Sequence, residues 1–335
     1  MIRAAIVGLG RWGMNLVNSA ADSTALRFTT ANTRTRQTAE AFCREKSLRW
    51  TSDLDDILRD PAIDAVVFAT PHSQHPGQVR RAAAAGKHVF VEKPFALTLA
   101  EADAMLEAAG KAGIVLAVGF NRRFHPSMAR MRDAVRTGRM GTISTISAEQ
   151  TALHGLHLTE GAWRALPNES PGGAMTAIGV HLVDGMIDLL GPIYSVFAKV
   201  SRQAATHADD TTDLLLTFAN GATNGATGHI FCSTVATPNY RMALYGTGGF
   251  AEIAGHQMNV FRYVAALPGE GFGIAVPEVF ETTGFNMLTA ELEAFAASIA
   301  AKRPFPTPLT EIRHGVAVFE AVLRSARTGR QEVVA

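Results

Sequence analysis

The chain is predicted to fold as two joined domains: an α/β domain on a parallel, doubly wound sheet, then an α+β domain with a large, open, mainly antiparallel sheet. Three observations predict this. Residues 2–118 alternate short apolar runs with helical patterns, as a parallel sheet with helices on both faces requires. Beyond about residue 140, strand-like runs follow one another through glycine turns, which suits antiparallel pairing. At 335 residues the chain exceeds what one hydrophobic core usually organises. The boundary is expected at 121/122, giving domains 1–121 and 122–335, with the last helices packing back on the first domain.

In the first domain, Ile2 to Val7 reads as a buried strand, Gly8 to Gly13 as a turn and Met14 to Ala21 as a helix. Leu26 to Ala31 is the second strand. Thr35 to Lys46 is a helix with Ala39, Phe42 and Cys43 on its apolar face, and Ser52 or Asp53 caps a short helix through Leu58. Ala65 to Ala69 is apolar throughout, which fits a strand buried on both sides. A helix over Val79 to Ala85, a strand from His88 to Val91, a helix over Leu99 to Ala109 and a strand from Val115 to Val118 complete the alternation.

In the second domain, strands are expected at Ile143 to Gln150, Ile193 to Ser201, Asp213 to Phe218, Ala222 to Cys232, Arg241 to Tyr245 and Ala251 to Ile253. Turns carry Asn220-Gly221 and Gly246 to Gly249. A helix from Ala174 to Leu190 stops at Gly191-Pro192, and helices over Met287 to Ala301 and Glu311 to Thr328 flank the loop Pro304 to Pro308.

Composition narrows the function. A chain 47% hydrophobic and 18% charged, with a net charge of +1, offers no electrostatic footing for nucleic acid or an anionic membrane. Leu214 to Tyr240 lacks Asp, Glu, Lys and Arg, but Gly, Asn, Thr and Pro break it into strand-length pieces, unlike a membrane helix. The start MIRAAIVGLG is too short in its apolar part and too glycine-rich for a signal peptide. Cys43 and Cys232 form no metal spacing and read as reduced thiols of a cytoplasmic protein. His154 and His157 have no third ligand nearby, and Gly155 weakens a helix there, so no metal site is expected.

Gly8-Leu9-Gly10-Arg11-Trp12-Gly13 follows a strand and opens a helix. The glycines permit a tight turn and close backbone approach, and the helix N-terminus faces a pyrophosphate with unpaired N–H groups. At the end of the second strand, Asn32-Thr33-Arg34-Thr35-Arg36 lacks the acidic residue that holds the ribose 2′-hydroxyl of NAD. The two arginines favour NADP(H), with NAD(H) the alternative; as ordinary solvated residues they would signal neither. Thr70-Pro71-His72-Ser73-Gln74-His75 and Glu92-Lys93-Pro94 lie at strand ends, where such sheets place ligands. Lys93 is either a general acid on a substrate oxygen or a plain surface lysine.

These motifs, with Asn121-Arg122-Arg123-Phe124 and Gly172-Gly173-Ala174-Met175 through Gly179-Val180-His181, make nearly the whole chain resemble the Gfo/Idh/MocA family, which includes glucose–fructose oxidoreductase, inositol dehydrogenase and dihydrodiol dehydrogenase relatives. The resemblance implies a Rossmann N-terminal domain, a catalytic lysine at Lys93 and a cis peptide at Lys93-Pro94. It also implies an aspartate four residues before His181, where this chain has Ala177. One helical turn would separate the two, so both would face the nicotinamide. The missing carboxylate favours a less polar substrate, such as a cyclic diol, an aldehyde or a hydroxy acid, over a sugar. His181 is the acid/base candidate or else a core histidine, and Asp184 either holds its ring or caps local structure.

The cofactor is therefore assigned to Gly8, Gly10, Arg11, Trp12, Gly13, Asn32, Thr33, Arg34, Arg36, Thr70, Pro71, His75, Glu92, Lys93 and Asn121. The substrate is assigned to Lys93, Arg122, Trp163, Arg164, Thr176 and His181. Arg122 and Arg164 suit an anionic or carbonyl-bearing substrate or else form structural ion pairs; Trp163 walls the pocket or packs in the core. The loop Leu153 to Pro171 is expected to cover the site. The expected activity is hydride transfer between NAD(P)(H) and a carbinol or carbonyl carbon of a small molecule. Two alternatives are elimination or glycoside cleavage assisted by tightly bound NAD, and a non-catalytic nucleotide-binding regulator. The open sheet implies a homodimer or homotetramer.

Overall fold

The computed structural model describes every residue except 220–224, 268–272 and 274. The expected turn at Asn220-Gly221 and the start of the strand expected from Ala222 lie outside the described residues. The chain divides into two compact units, Met1–Asn121 with Asn286–Val316, and Arg122–Phe285 with Ala317–Ala335. The second unit is thus not the continuous stretch 122–335.

The first unit holds β1 (Ile2–Val7), α1 (Arg11–Ser19), β2 (Leu26–Asn32), α2 (Arg36–Glu45), β3 (Arg49–Thr51), α3 (Leu54–Leu58), β4 (Ala65–Phe68), α4 (His75–Ala84), β5 (His88–Val91), α5 (Leu99–Ala112) and β6 (Leu116–Val118). The six strands run parallel in the order β3-β2-β1-β4-β5-β6, the dinucleotide-binding arrangement in which ligands lie at the carboxyl ends of the strands. All four residues of β4 are fully buried, as its apolar sequence implies. Asp53 caps α3 by accepting from Asp55 N–H at 2.8 Å. A capping box of Thr98 and Glu101 starts α5, and Gly113 at φ 64° ends it.

Two starts differ from expectation. α1 begins at Arg11, inside the glycine motif, and α4 begins at His75, where Pro76 occupies the first turn. The three-residue β3 is too short to carry a periodic signal. After the second-unit segment, α8 (Met287–Ala300) joins this sheet: Phe295 meets Phe90 edge-on at 5.8 Å, and Thr289 donates to the Ser19 carbonyl at 2.6 Å.

The second unit contains α6 (Pro126–Arg136), β7 (Ile143–Thr151), α7 (Val180–Leu190), β8 (Ile193–Ser201), β9 (Thr211–Phe218), β10 (Thr227–Ser233), β11 (Asn239–Gly246), β12 (Gly249–Ala254), β13 (Val260–Ala265) and β14 (Glu278–Glu281). α9 (Leu309–Thr328) leads back into it and β15 (Glu332–Val333) closes it. Its nine strands follow the order β14-β13-β12-β11-β7-β10-β9-β8-β15. The pairs are antiparallel except β7–β10. Six strands were expected; β13, β14 and β15 extend the sheet at both ends. His125 caps α6 and Pro126 fills its first position, a start signal that the strand-dominated reading of this region passes over.

Candidate functional site

Each glycine of the first turn has a separate steric reason. Gly8 adopts φ +95°, and a Cβ there would lie 2.5 Å from the Ala69 carbonyl oxygen. A Cβ on Gly13 would lie 2.0 Å from the Gly8 carbonyl oxygen, so α1 packs against the turn only as glycine. A Cβ on Gly10 would meet nothing within 4 Å beyond its own turn. That is the flank a pyrophosphate would approach, and the first turn of α1 carries no acidic side chain and no side-chain cap to compete with it. Trp12 adds a buried Nε1–H, and Asn121 a buried Oδ1, each without a hydrogen-bond partner among the described residues. An unpaired buried donor and acceptor call for a ligand. Cradle, open helix end and unpaired groups together fit a dinucleotide.

At the ribose end of β2, Asn32 donates its amide to the Thr51 carbonyl at 3.2 Å. Thr33 is half-buried, whereas Arg34 is exposed. Arg36 lies 5.4 Å over the Trp50 ring and only 3.7 Å from Glu40. Arg11 is exposed at the start of α1.

The ends of β4 and β5 are tied together. Thr70 donates to Gln78 of α4 at 2.7 Å, and Pro71 leads into a short 3-10 turn at His72–Gln74. His75, assigned above to the cofactor, is fully buried; its ring lies between the Thr70 carbonyl (3.2 Å) and the Pro94 carbonyl (3.1 Å). The structure gives His75 the work of joining the two loops, because α4 starts early enough to bury it. The Lys93–Pro94 peptide is cis. Lys93 N–H donates to Glu92 Oε2 at 3.3 Å, and the Glu92 carboxylate lies on Gly119, where a Cβ would approach it to 2.9 Å. Lys93 is half-buried.

In the second unit, Ala177 sits in a π-helical turn, Met175–Gly179, that leads into α7. The residue four before His181 is therefore not one regular helical turn away, and such turns are common at functional sites. His181 is buried on the first turn of α7. Both oxygens of Asp184 accept from Arg123 Nε, at 3.0 and 2.9 Å, and Arg123 Nη2 adds a 2.7 Å contact. Thr176, expected at the substrate, is buried and donates to the Pro171 carbonyl instead. Arg164 stacks over Trp163 at 4.0 Å on a 3-10 turn, with Leu153, Leu156 and Leu166 exposed along the same loop. Arg122 donates to Gln150 and lies 5.1 Å over Tyr240. Gln150 and Tyr240 escape sequence reasoning, since neither belongs to a motif and only strand register brings them to Arg122.

Cys43 and Cys232 are both free and buried, and burial pushes the Cys232 thiol up to about 12. Among the described residues no three His, Cys, Asp or Glu side chains gather as a metal site, and no helix is long and apolar enough to cross a membrane.

Comparison with known proteins matches residues 2–120 to an oxidoreductase family with an NAD-binding Rossmann fold and residues 128–252 to the GFO/IDH/MocA C-terminal domain. The scyllo-inositol 2-dehydrogenase (NAD(+)) of Bacillus subtilis (strain 168) is 29% identical over 323 residues, 92% of this chain and 89% of its own. The myo-inositol 2-dehydrogenase of Thermotoga maritima is 28% identical over 272 residues, 78% of this chain and 75% of its own. The solved structure of levoglucosan dehydrogenase in complex with NADH matches with a TM-score of 0.89 at 22% identity, covering 100% of this chain and 99% of that one.

Proposed function

The chain belongs to the GFO/IDH/MocA family of NAD-binding oxidoreductases, and on that premise we propose that it interconverts a carbinol and a carbonyl on a small sugar or polyol. The observation that carries this reading is the glycine turn: an open flank at Gly10 beside a helix end free of acidic side chains. The inositol dehydrogenases that match over most of the chain support a hydroxyl-rich carbon skeleton and argue against the cyclic diol or aldehyde that Ala177 suggested.

The residues 1–121 would hold the dinucleotide and the second unit would supply the substrate's contacts. The pyrophosphate would lie on the backbone of Gly8 to Gly13, with Trp12 Nε1 and Asn121 Oδ1 as a further donor and acceptor. When bound, the nicotinamide supplies or accepts the hydride. Lys93 donates a hydrogen bond or proton to the reacting oxygen, and His181 moves the proton. Trp163 and Arg164 contact the substrate from the loop Leu153 to Pro171, which covers it. NADP(H) is the favoured cofactor: Arg34 has no ion-pair partner among the described residues, although Arg36 pairs with Glu40 at 3.7 Å. Two buried free thiols fit the cytoplasm, and the open sheet fits a homodimer or homotetramer.

The test is a fluorescence titration with NADPH and NADH, then a polyol and sugar screen with the preferred cofactor. Micromolar NADPH binding with much weaker NADH binding is expected. Arg34→Ala with Arg36→Ala should weaken NADPH about 10- to 100-fold and leave NADH nearly unaffected, since hydrogen bonds to charged groups contribute about 1.5–3 kcal/mol. Equal loss for both cofactors would remove the arginines from the 2′-phosphate. Product formed without net cofactor change would replace dehydrogenation with redox-assisted elimination or glycoside cleavage. Binding without any turnover would leave a regulator.

A further inference from the structure

Adjacent arginines at the start of the second unit have opposite electrostatic surroundings. Arg123 is matched: Asp184 takes it through both oxygens, and Asp188 lies 3.4 Å from its Nη1 while also accepting from Arg132 at 2.6 Å. Two carboxylates thus serve two cations. Arg122 has no such partner, for among the described residues no carboxylate lies within ion-pair distance of it. Its Nη1 donates to the neutral Gln150 amide, and its plane rests over Tyr240.

That seat is built by strand register. Gln150 of β7 and Tyr240 of β11 are direct cross-strand partners, so their side chains stand together on one face of the sheet. Tyr240 is 2% exposed, which identifies the face as the buried one, away from the open outer surface. Asp184 of α7, the helix that also carries His181, acts on the charge of Arg122 from beyond ion-pair distance. The half-buried guanidinium loses solvent on its way to this seat, and that desolvation draws its pKa down to about 10 against the opposing pull of Tyr240 and Asp184. Placing a charge in such surroundings is costly unless a partner of opposite sign arrives. A ring and an amide fix the plane while the remaining donors of the fork have no partner among the described residues, which is the arrangement that receives a planar carboxylate.

We propose that Arg122 anchors a carboxylate of the substrate, so that the compound turned over is a sugar acid or hydroxy acid; this rests on the oxidoreductase reading above. A single guanidinium balances one carboxylate, whereas a phosphate dianion would need a second cation, and Arg123 is already committed to Asp184 and Asp188.

The test is calorimetric titration of the protein, with and without bound NADPH, using D-glucuronate, D-galacturonate and D-gluconate beside D-glucose, D-galactose, myo-inositol and D-glucose 6-phosphate. Where a ligand binds, kcat/KM follows. At least one acid should bind about 10-fold or more tightly than its neutral counterpart, and Arg122→Met should weaken that acid about 10- to 100-fold, as loss of a charge-assisted bond implies. If the methionine variant fails to fold, Arg122→Lys serves, since it keeps the charge without the planar fork and should restore only part of the acid preference. Neutral compounds binding as tightly as every acid would overturn the proposal, as would an acid preference that survives at Arg122→Met or a stronger preference for the phosphate ester. Turnover of neutral polyols with no acid bound would overturn it while leaving the oxidoreductase reading intact. Failure to bind either cofactor would overturn that reading, and the cofactor-free titration would still decide whether Arg122 takes a carboxylate.

Discussion

Gly10 and Gly13 share one turn, yet a methyl group on each would meet opposite surroundings. At Gly13 it would drive into the Gly8 carbonyl 2.0 Å away; at Gly10 it would meet no protein atom within 4 Å beyond its own turn. Gly10 also has φ −79°, which any L-residue adopts without strain. Gly13→Ala should therefore cost about 1–3 kcal/mol of stability through overpacking. Gly10→Ala should melt within about 0.5 kcal/mol of wild type, as an unstrained surface change does, yet bind NADPH and NADH about 10-fold more weakly or worse because its Cβ occupies the pyrophosphate's approach. Thermal melts and cofactor titrations on the two variants check the contrast. Equal destabilisation by both would mean that the Gly10 flank is not open.

At the scale of elements, α8 carries the anomaly. Phe90 of β5 and Glu92, just past its end, alternate to the same side, and Glu291 and Phe295 share one face of α8, so the Phe90–Phe295 contact brings Glu291 toward Glu92. Glu291 is fully buried, and neither carboxyl oxygen has a hydrogen-bond partner among the described residues. Burial, and secondarily the charge of Glu92, hold it well above the ordinary value of 4.5. Folded Glu291 thus keeps a proton that the unfolded chain has lost. Its contribution to stability is complete below the unfolded value and falls as pH rises through the folded one. Glu291→Gln, neutral at every pH, should gain on wild type by at least about 1 kcal/mol between about pH 5 and pH 8. Melting curves at both pH values check it, and a pH-independent gap would mean that Glu291 is ionised in the folded protein.

The sequence leads one to expect the last helices on the first domain, and α8 packs there, but helical periodicity marks an apolar face and not the side chains it meets. The same limit hid the Gln150–Tyr240 seat, which register alone creates. The parallel sheet and the glycine turn were legible because each rests on local sequence, whereas the cis Lys93–Pro94 bond was expected only from the family resemblance. β3 and β15 were not, being too short for any period, and the π-helical turn under Ala177 follows from packing that local sequence does not display.

For the whole molecule, the question is what covers the outer face of the second sheet. Register carries one outward row from Phe197 through Leu215, His229, Ser147 and Ala243 to Glu252. Phe197 and Leu215, directly paired, are 42% and 59% exposed, and Val279 at the β14 edge is 56% exposed. Adjacent large apolar side chains on an exposed sheet face mark an association surface, and the flanking Glu252, bound by Arg241 and Arg262, supplies a polar border of the kind interfaces carry. A second copy of the chain is the expected cover, and a stable pairing needs at least about 1,000 Å² of buried surface, which a nine-stranded sheet can provide. Light scattering on the eluting protein should return a dimer or tetramer. Leu215→Arg should shift it toward smaller species, since an uncompensated charge at the centre of an apolar contact is costly, while NADPH affinity stays as in wild type because the glycine turn belongs to the other unit. A monomeric wild type would remove the association, and a Leu215→Arg variant that keeps its mass would move the contact to another face.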